Sequence, residues 1–313
     1  MKGKDLLSIA DLNREDIPLL LSRAVELKAE GWTSSLSEKV LALVFEKPSL
    51  RTRVSFEVAM RQLGGHAIYL SPAEVGLGVR ESVPDVARVL SRYVDAIAAR
   101  TFAHQTLEVL AKFADVPVIN ALSDLEHPCQ ALADLLTIYE KKGELEGLTL
   151  AYVGDGNNVA HSLMLASALA GINFRAASPS GYEVRDDLVR LARDYAAESG
   201  VEITCMEDPR QAVYEADIIY TDVWTSMGQE AESEKRRVAF AGYQVNGELL
   251  RLAEEDAILM HPLPAHYGEE VAEGILETPQ SVVFDQAENR MHMQKALLAD
   301  MLGGLELPLM KYG

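Results

Sequence analysis

Apolar residues recur at helical spacing between Asp11 and Glu30, at Ile17, Leu20, Leu21, Ala24 and Leu27, and the pattern then tightens into the unbroken run VLALVF. This predicts a helix followed by a buried strand over Lys39 to Phe45. HAIYL (His66 to Leu70), AIAAR (Ala96 to Arg100) and VPVIN (Val116 to Asn120) read as further strands, separated by helical segments such as Asp85 to Tyr93. After the polar stretch Glu140 to Gly147 a second series begins: LTLAYVG, NFRAAS, VEITCM, ADIIYTDV, AILMHPL and SVVFD. Strands alternating with helices build parallel sheets. The predicted fold is therefore α/β, with two doubly wound parallel-sheet domains, 1–140 and 141–290. The last helix, Met291 to Leu302 within 291–313, is expected to pack back on the first domain.

A chain of 313 residues exceeds what one hydrophobic core usually supports, which agrees with two domains and leads us to expect an active site in the cleft between them. With 48% hydrophobic and 25% charged residues the composition is that of a globular protein. No apolar run approaches the length of a membrane span, and the opening MKGKDLLSIADL carries acidic residues where a signal peptide needs apolar ones, so a cytoplasmic location is expected. Two cysteines, Cys129 and Cys205, are too few for a disulfide framework and lack metal-ligand spacing. A net charge of -19 opposes binding to nucleic acid or an anionic membrane. A local cationic pocket would stand out against it.

FEKPSLRTRVSFE supplies such a pocket. A buried strand ends at Phe45 and a helix opens near Leu50, with Ser49 placed to cap it. Helix N-termini at the carboxyl ends of strands favour anions, so Ser49, Arg51 and Thr52 read as a phosphate site. A simple N-cap followed by solvated arginines would give the same pattern. Arg100 follows the strand AIAA and should emerge at a carboxyl end too. In HPCQALADLL, Pro128 suits the first turn of a helix, which leaves His127 beside the N-terminus with Cys129 and Gln130 after it. A neutral imidazole there can donate a hydrogen bond to a carbonyl oxygen, although a lone histidine is more often structural.

In the second series, VGDGNNVAHS resembles a dinucleotide turn, but Val159 stands where the third glycine belongs and the following strand lacks the acidic residue that would bind a ribose. Asn157 and Asn158 instead offer amides at that turn. Asp222 ends the apolar strand DIIYT, a carboxylate suited to a substrate ammonium or equally to a turn. AILMHPLPAH ends another strand in a proline-flanked loop, and AENRMH offers Arg290 before the final helix.

Taken as a set, these segments resemble the aspartate/ornithine carbamoyltransferase family over most of the chain. FEKPSLRTR is similar to its carbamoyl phosphate loop, HPCQALADLL to its second signature, and DVWTSMG with FDQAENRMH to its ornithine branch. The resemblance implies that Ser49, Leu50, Arg51 and Thr52 enclose the phosphate, with charge added by Arg100 and Arg290. It implies that His127 and Gln130, in the stretch His127, Pro128, Cys129 and Gln130, address the carbamoyl group. Asn158, Asp222, Ser226 and Met227 would hold the amino-acid end of ornithine, and Pro262 and Leu263 would line the reacting amine with backbone carbonyls. Arg51, Thr52, Arg100 and His127 carry the catalytic roles in this picture, with no metal, cofactor or covalent intermediate.

Three positions depart from the family pattern. Leu50 replaces a threonine, Pro262 replaces the cysteine of His-Cys-Leu-Pro, and Gly76, counted among the carbamoyl phosphate-binding residues, stands in the loop AEVGLGVRES where relatives often present glutamine or histidine to the neighbouring subunit's site. The implied assembly is a homotrimer or a multiple of trimers. Aspartate, putrescine or an acylated ornithine as acceptor, and a non-catalytic nucleotide-binding α/β protein, are the competing readings.

Overall fold

The computed structural model describes residues 1–226 and 228–303. Chain packing separates two units among the described residues: Met1–Leu12, Pro18–Asp124 and 291–303 form one, and Asn13–Ile17 with Leu125–Arg290 form the other.

In the first unit, α1 (Asp16–Glu30) precedes β1 (Val40–Phe45), α2 (Leu50–Gln62), β2 (His66–Leu70), α3 (Pro72–Val75), α4 (Val83–Leu90), β3 (Ala96–Arg100), α5 (His104–Phe113) and β4 (Val118–Leu122). The four strands are parallel in the order β2-β1-β3-β4, and Leu6 bridges Ile119 beside β4. The continuous apolar runs of β1 and β3 are the buried central strands, as a sheet covered on both faces requires. One face packs Ala42, Val44, Ile97 and Ala99 against Val86, Leu107 and Leu110 of the covering helices. Lys295 is fully buried in this unit, and its ammonium donates to the Leu27 and Gly31 carbonyls at 2.8 and 2.6 Å, closing the last turn of α1.

The second unit contains α6 (Pro128–Lys142), β5 (Thr149–Val153), α7 (Asn158–Ala170), β6 (Asn173–Ala177), α8 (Asp186–Ser199), β7 (Ile203–Met206), α9 (Pro209–Val213), β8 (Ile218–Thr221), α10 (Ser233–Ala239), α11 (Gly247–Leu250) and β9 (Ile258–Met260). Its five parallel strands run β7-β6-β5-β8-β9. The turn between β5 and α7 explains its two glycines. Gly154 sits at φ +145°, and a Cβ on Gly156 would lie 2.3 Å from the backbone of Glu183 and Val184. Asn157 caps α7 through the Val159 and Ala160 amides.

Several boundaries differ from the sequence reading. The first helix begins at Asp16 after a separate 3-10 turn at Ile9–Asp11, and the last strand of the first unit is shifted to Val118–Leu122. SVVFD is not a strand: only Ser281 bridges β9, at Leu259, and helix α12 (Val283–Met301) starts two residues later. That helix therefore begins well before Met291 and carries Arg290 in its interior. It belongs to the second unit through Arg290 and to the first beyond it. Packing also groups α6 with the second unit, because it lies along α7 there.

Candidate functional site

Open parallel sheets bind ligands at the carboxyl ends of their strands, where the strand order reverses. In the first unit the reversal falls between β1 and β3, and Phe45 at the end of β1 is in register with Arg100 at the end of β3. The Glu46 amide donates to the Arg100 carbonyl at 2.8 Å, and the Glu46 carboxylate accepts from the Phe102 amide at 2.7 Å. These bonds hold the two strand ends together. Ser49 is the N-cap of α2: its hydroxyl accepts from the Thr52 amide at 3.4 Å and donates to the Thr52 hydroxyl at 3.0 Å. The first turn of α2 thus puts Leu50, Arg51 and Thr52 at the reversal point, where the positive end of the helix favours an anion. Leu50 is 77% exposed, so its side chain supplies no packing that a threonine would lose.

Burial pushes the Arg51 guanidinium down from its ordinary value, and Lys47 is lowered by burial and then by the neighbouring Arg100. Lys47 also sits 5.1 Å over the Phe102 ring. Arg53, in contrast, is engaged on the helix surface with Glu57 at 2.8 Å and over Tyr69 at 4.0 Å. Gly76 belongs elsewhere in this unit, as the left-handed C-cap of α3 after edge strand β2, where a Cβ would meet Arg80 at 2.9 Å.

In the second unit the reversal falls between β5 and β8. Asp222 follows β8, and its two oxygens accept from the Asn157 side-chain amide and the Val223 amide, both at 2.8 Å. Burial raises its carboxyl, opposed by nearby His261 and by those hydrogen bonds. The loop beyond it is fastened by buried Arg236, which donates to Asp155 at 3.0 Å and to the Trp224 carbonyl at 2.9 Å while lying 4.9 Å over Tyr182. Burial carries Asp155 up to about 6 despite that partner. Ser226 closes a turn with Gln229 through its own amide and carbonyl. Met227, predicted beside it, lies outside the described residues. Asn158 opens α7 directly after Asn157.

The His127 segment starts α6 as the spacing predicts, with Pro128 in its first turn. The His127 amide donates to Ser162 at 2.8 Å, and Ser162 donates to the buried Glu126 at 2.9 Å. Gln130 donates through Nε2 to Asp134 at 2.8 Å. Cys129 is fully buried, which pushes its thiol up to about 12 and leaves it uncharged; Arg290 is near enough to oppose the shift at both Cys129 and Asp134. At the end of β9, the His261 ring accepts from the Leu263 amide at 2.9 Å through Nδ1, so Nε2 carries the proton toward Glu270 at 3.1 Å. Leu263 takes the left-handed conformation at φ +55°, and Pro262, which has no N–H, lies within this turn.

The first unit thus gathers Ser49 to Thr52 with Arg100. The second gathers His127, Gln130 and Arg290 around the start of α6, and Asp222 with the Asn157 turn and the His261 loop. Ser162, Asp134, Tyr220 and Gln286 were missed by the sequence reading. Only the four-residue spacing of Gln130 and Asp134 on a helix pointed to any of them. Among the described residues, one group brings metal-ligand atoms within 4.8 Å, His266, Glu269 and Glu270, and both carboxylates there already have partners, Arg237 and His261. No helix among the described residues is long and apolar enough to cross a membrane.

Residues 4–140 match the model of the aspartate/ornithine carbamoyltransferase carbamoyl-P binding domain, and residues 146–301 match that of the Asp/Orn binding domain of the same proteins. The chain belongs to the aspartate/ornithine carbamoyltransferase family. Within it, the chain is 55% identical over 307 residues to the ornithine carbamoyltransferase of Anoxybacillus flavithermus, covering 96% of this chain and 98% of that protein. The ornithine carbamoyltransferase of Bacillus subtilis is 56% identical over 300 residues, 96% of this chain and 94% of that one. The solved structure of ornithine carbamoyltransferase from Pyrococcus furiosus superposes with a TM-score of 0.94 at 53% identity, covering 97% of this chain and 99% of that chain. The two family models meet across 140–146, whereas packing divides the units at Leu125, so α6 goes with the first half in sequence and the second in packing.

Proposed function

We propose that this protein transfers the carbamoyl group of carbamoyl phosphate to the δ-amine of L-ornithine, giving L-citrulline and phosphate. The observation that carries this reading is the near full-length identity to ornithine carbamoyltransferases, 55% across 96% of the chain. The buried Asp222 at the strand reversal supports it, since a desolvated carboxylate pairs well with an α-ammonium.

In this reading Ser49, Leu50, Arg51 and Thr52 bind the phosphate through the start of α2, and Arg100 and Arg290 add charge. His127 and Gln130 address the carbamoyl group, in the stretch with Pro128 and Cys129. Asn158, Asp222, Ser226 and Met227 hold the amino-acid end, and the carbonyls of Pro262 and Leu263 face the reacting amine. The neutral δ-amine attacks the carbonyl carbon, forming the C–N bond and a tetrahedral oxyanion whose collapse breaks the C–O bond to phosphate. Arg51, Thr52 and His127 stabilise the intermediate oxyanion. The departing phosphate accepts the amine proton. The protein would act in the cytoplasm as a homotrimer or a multiple of trimers.

A citrulline-forming assay with carbamoyl phosphate and a panel of ornithine, N-acetylornithine, putrescine and aspartate tests the reading. Product with ornithine alone is expected; preference for another amine, or no product with any, would overturn it. Sedimentation as a monomer at micromolar concentration would contradict the trimer.

A further inference from the structure

Asp134 receives three hydrogen bonds. The Gln130 and Gln286 side chains both donate through Nε2 to its Oδ1 at 2.8 Å, and the Tyr220 hydroxyl donates to Oδ2 at 2.9 Å. A carboxylate only accepts, so both amides must turn their NH2 groups to it and their carbonyl oxygens away. The two oxygens have different destinations. Gln286 Oε1 accepts from the amide of His261 at 2.9 Å, immediately ahead of Pro262 and Leu263. Gln130 Oε1 is buried and meets no donor among the described residues. A buried carbonyl oxygen of this kind is costly to leave unmatched, and it calls for a donor from the substrate.

We propose that Asp134 is a positioning residue for carbamoyl transfer, fixing Gln130 so that its carbonyl oxygen accepts from the NH2 of carbamoyl phosphate, and through Gln286 bracing the Pro262–Leu263 turn. This rests on reading Gln130 as a carbamoyl-side group. The chemical consequence is discrimination between acyl phosphates. Acetyl phosphate carries a methyl group in place of the NH2 and leaves Gln130 Oε1 unpaired, so the site should reject it. An amide or a protonated acid at position 134 can donate as well as accept, which removes the bias on the Gln130 amide. Burial pushes Asp134 up to about 6, opposed by Gln130 of α6, Tyr220 of β8, and Gln286 and Arg290 of α12, which are the groups facing it.

The test is calorimetric binding of carbamoyl phosphate and of acetyl phosphate to the wild type and to Asp134→Asn, with thermal unfolding recorded for both proteins. The preference for carbamoyl phosphate should shrink by about tenfold or more in the variant. In the wild type it should also decline as pH falls through about 6, and in Asp134→Asn it should stay flat. Equal weakening toward both ligands, with the preference intact, would reduce Asp134 to a structural role and overturn the proposal. Should the variant not fold, a wild-type preference that is constant from pH 7 to pH 5 overturns it alone. The comparison uses no amine, so its failure is distinct from an error in the acceptor assigned above.

Discussion

The two strand reversals solve opposite electrostatic problems. At the end of β1 the site is cationic, partly exposed and local: Ser49 to Thr52 are consecutive, and Arg100 joins them through one strand register. At the end of β8 it is anionic and buried, and its carboxylates take part of their support from partners far along the chain. Asp222 is held by Asn157, 65 residues away, and Asp134 by Tyr220 and Gln286, 86 and 152 residues away. An anion can be met by free backbone amides and guanidiniums that keep their charge when half buried. A carboxylate aimed at an ammonium must be desolvated to bind strongly, and a desolvated carboxylate needs a fixed set of donors.

Removing the cationic side's main donor should do the most damage. Arg51→Ala is expected to lower kcat/KM by about 100-fold to 1000-fold, the loss typical of an oxyanion donor. Steady-state citrulline formation measures it, and near wild-type turnover would refute the role of Arg51.

On the anionic side, Asp222→Asn keeps the shape but removes the charge. A loss of about 2 kcal/mol, near 30-fold, is expected in kcat/KM for ornithine. The KM for carbamoyl phosphate should barely move. An equal effect on both substrates would erase the division of labour between the two reversals.

The smallest effect concerns stability against pH. Asp134 and Asp155 are both pushed up to about 6 from an ordinary carboxylate value near 4. Between those values the native chain holds protons that the unfolded chain has released, so the contribution of these two groups to stability rises as pH falls from about 6 toward 4. Each adds at most about 1.4 kcal/mol per pH unit, roughly 2 °C in Tm for a chain of this size. Guanidinium groups keep their charge over this range and add no such slope. Comparing Tm against pH for the wild type and Asp134→Asn checks this, and superimposable slopes would count against it.

The contrast also explains what could be read in advance. FEKPSLRTR and HPCQALADLL declare themselves because a strand end, a cap and a helix start are neighbours in sequence, and the parallel sheets follow from repeated strand-helix alternation. SVVFD misleads because two β-branched residues suggest a strand, yet pairing with β9 is limited to Ser281 before α12 begins. The donors around Asp134 leave no local trace: Tyr220 reads as one more apolar strand residue, and Gln286 as part of a polar helix turn. Domain limits drawn from the polar stretch 140–147 follow the chain, whereas α6 follows its packing partner α7.

Lys295 offers a practical handle on the first unit. Its amine is committed to two carbonyls at the end of α1, and burial pushes its pKa down. An amine-directed labelling reagent that decorates surface lysines should therefore pass over this one in the native protein and mark it only once α1 has come away. Peptide mapping at Lys295 would serve as a built-in clock for the opening of that core.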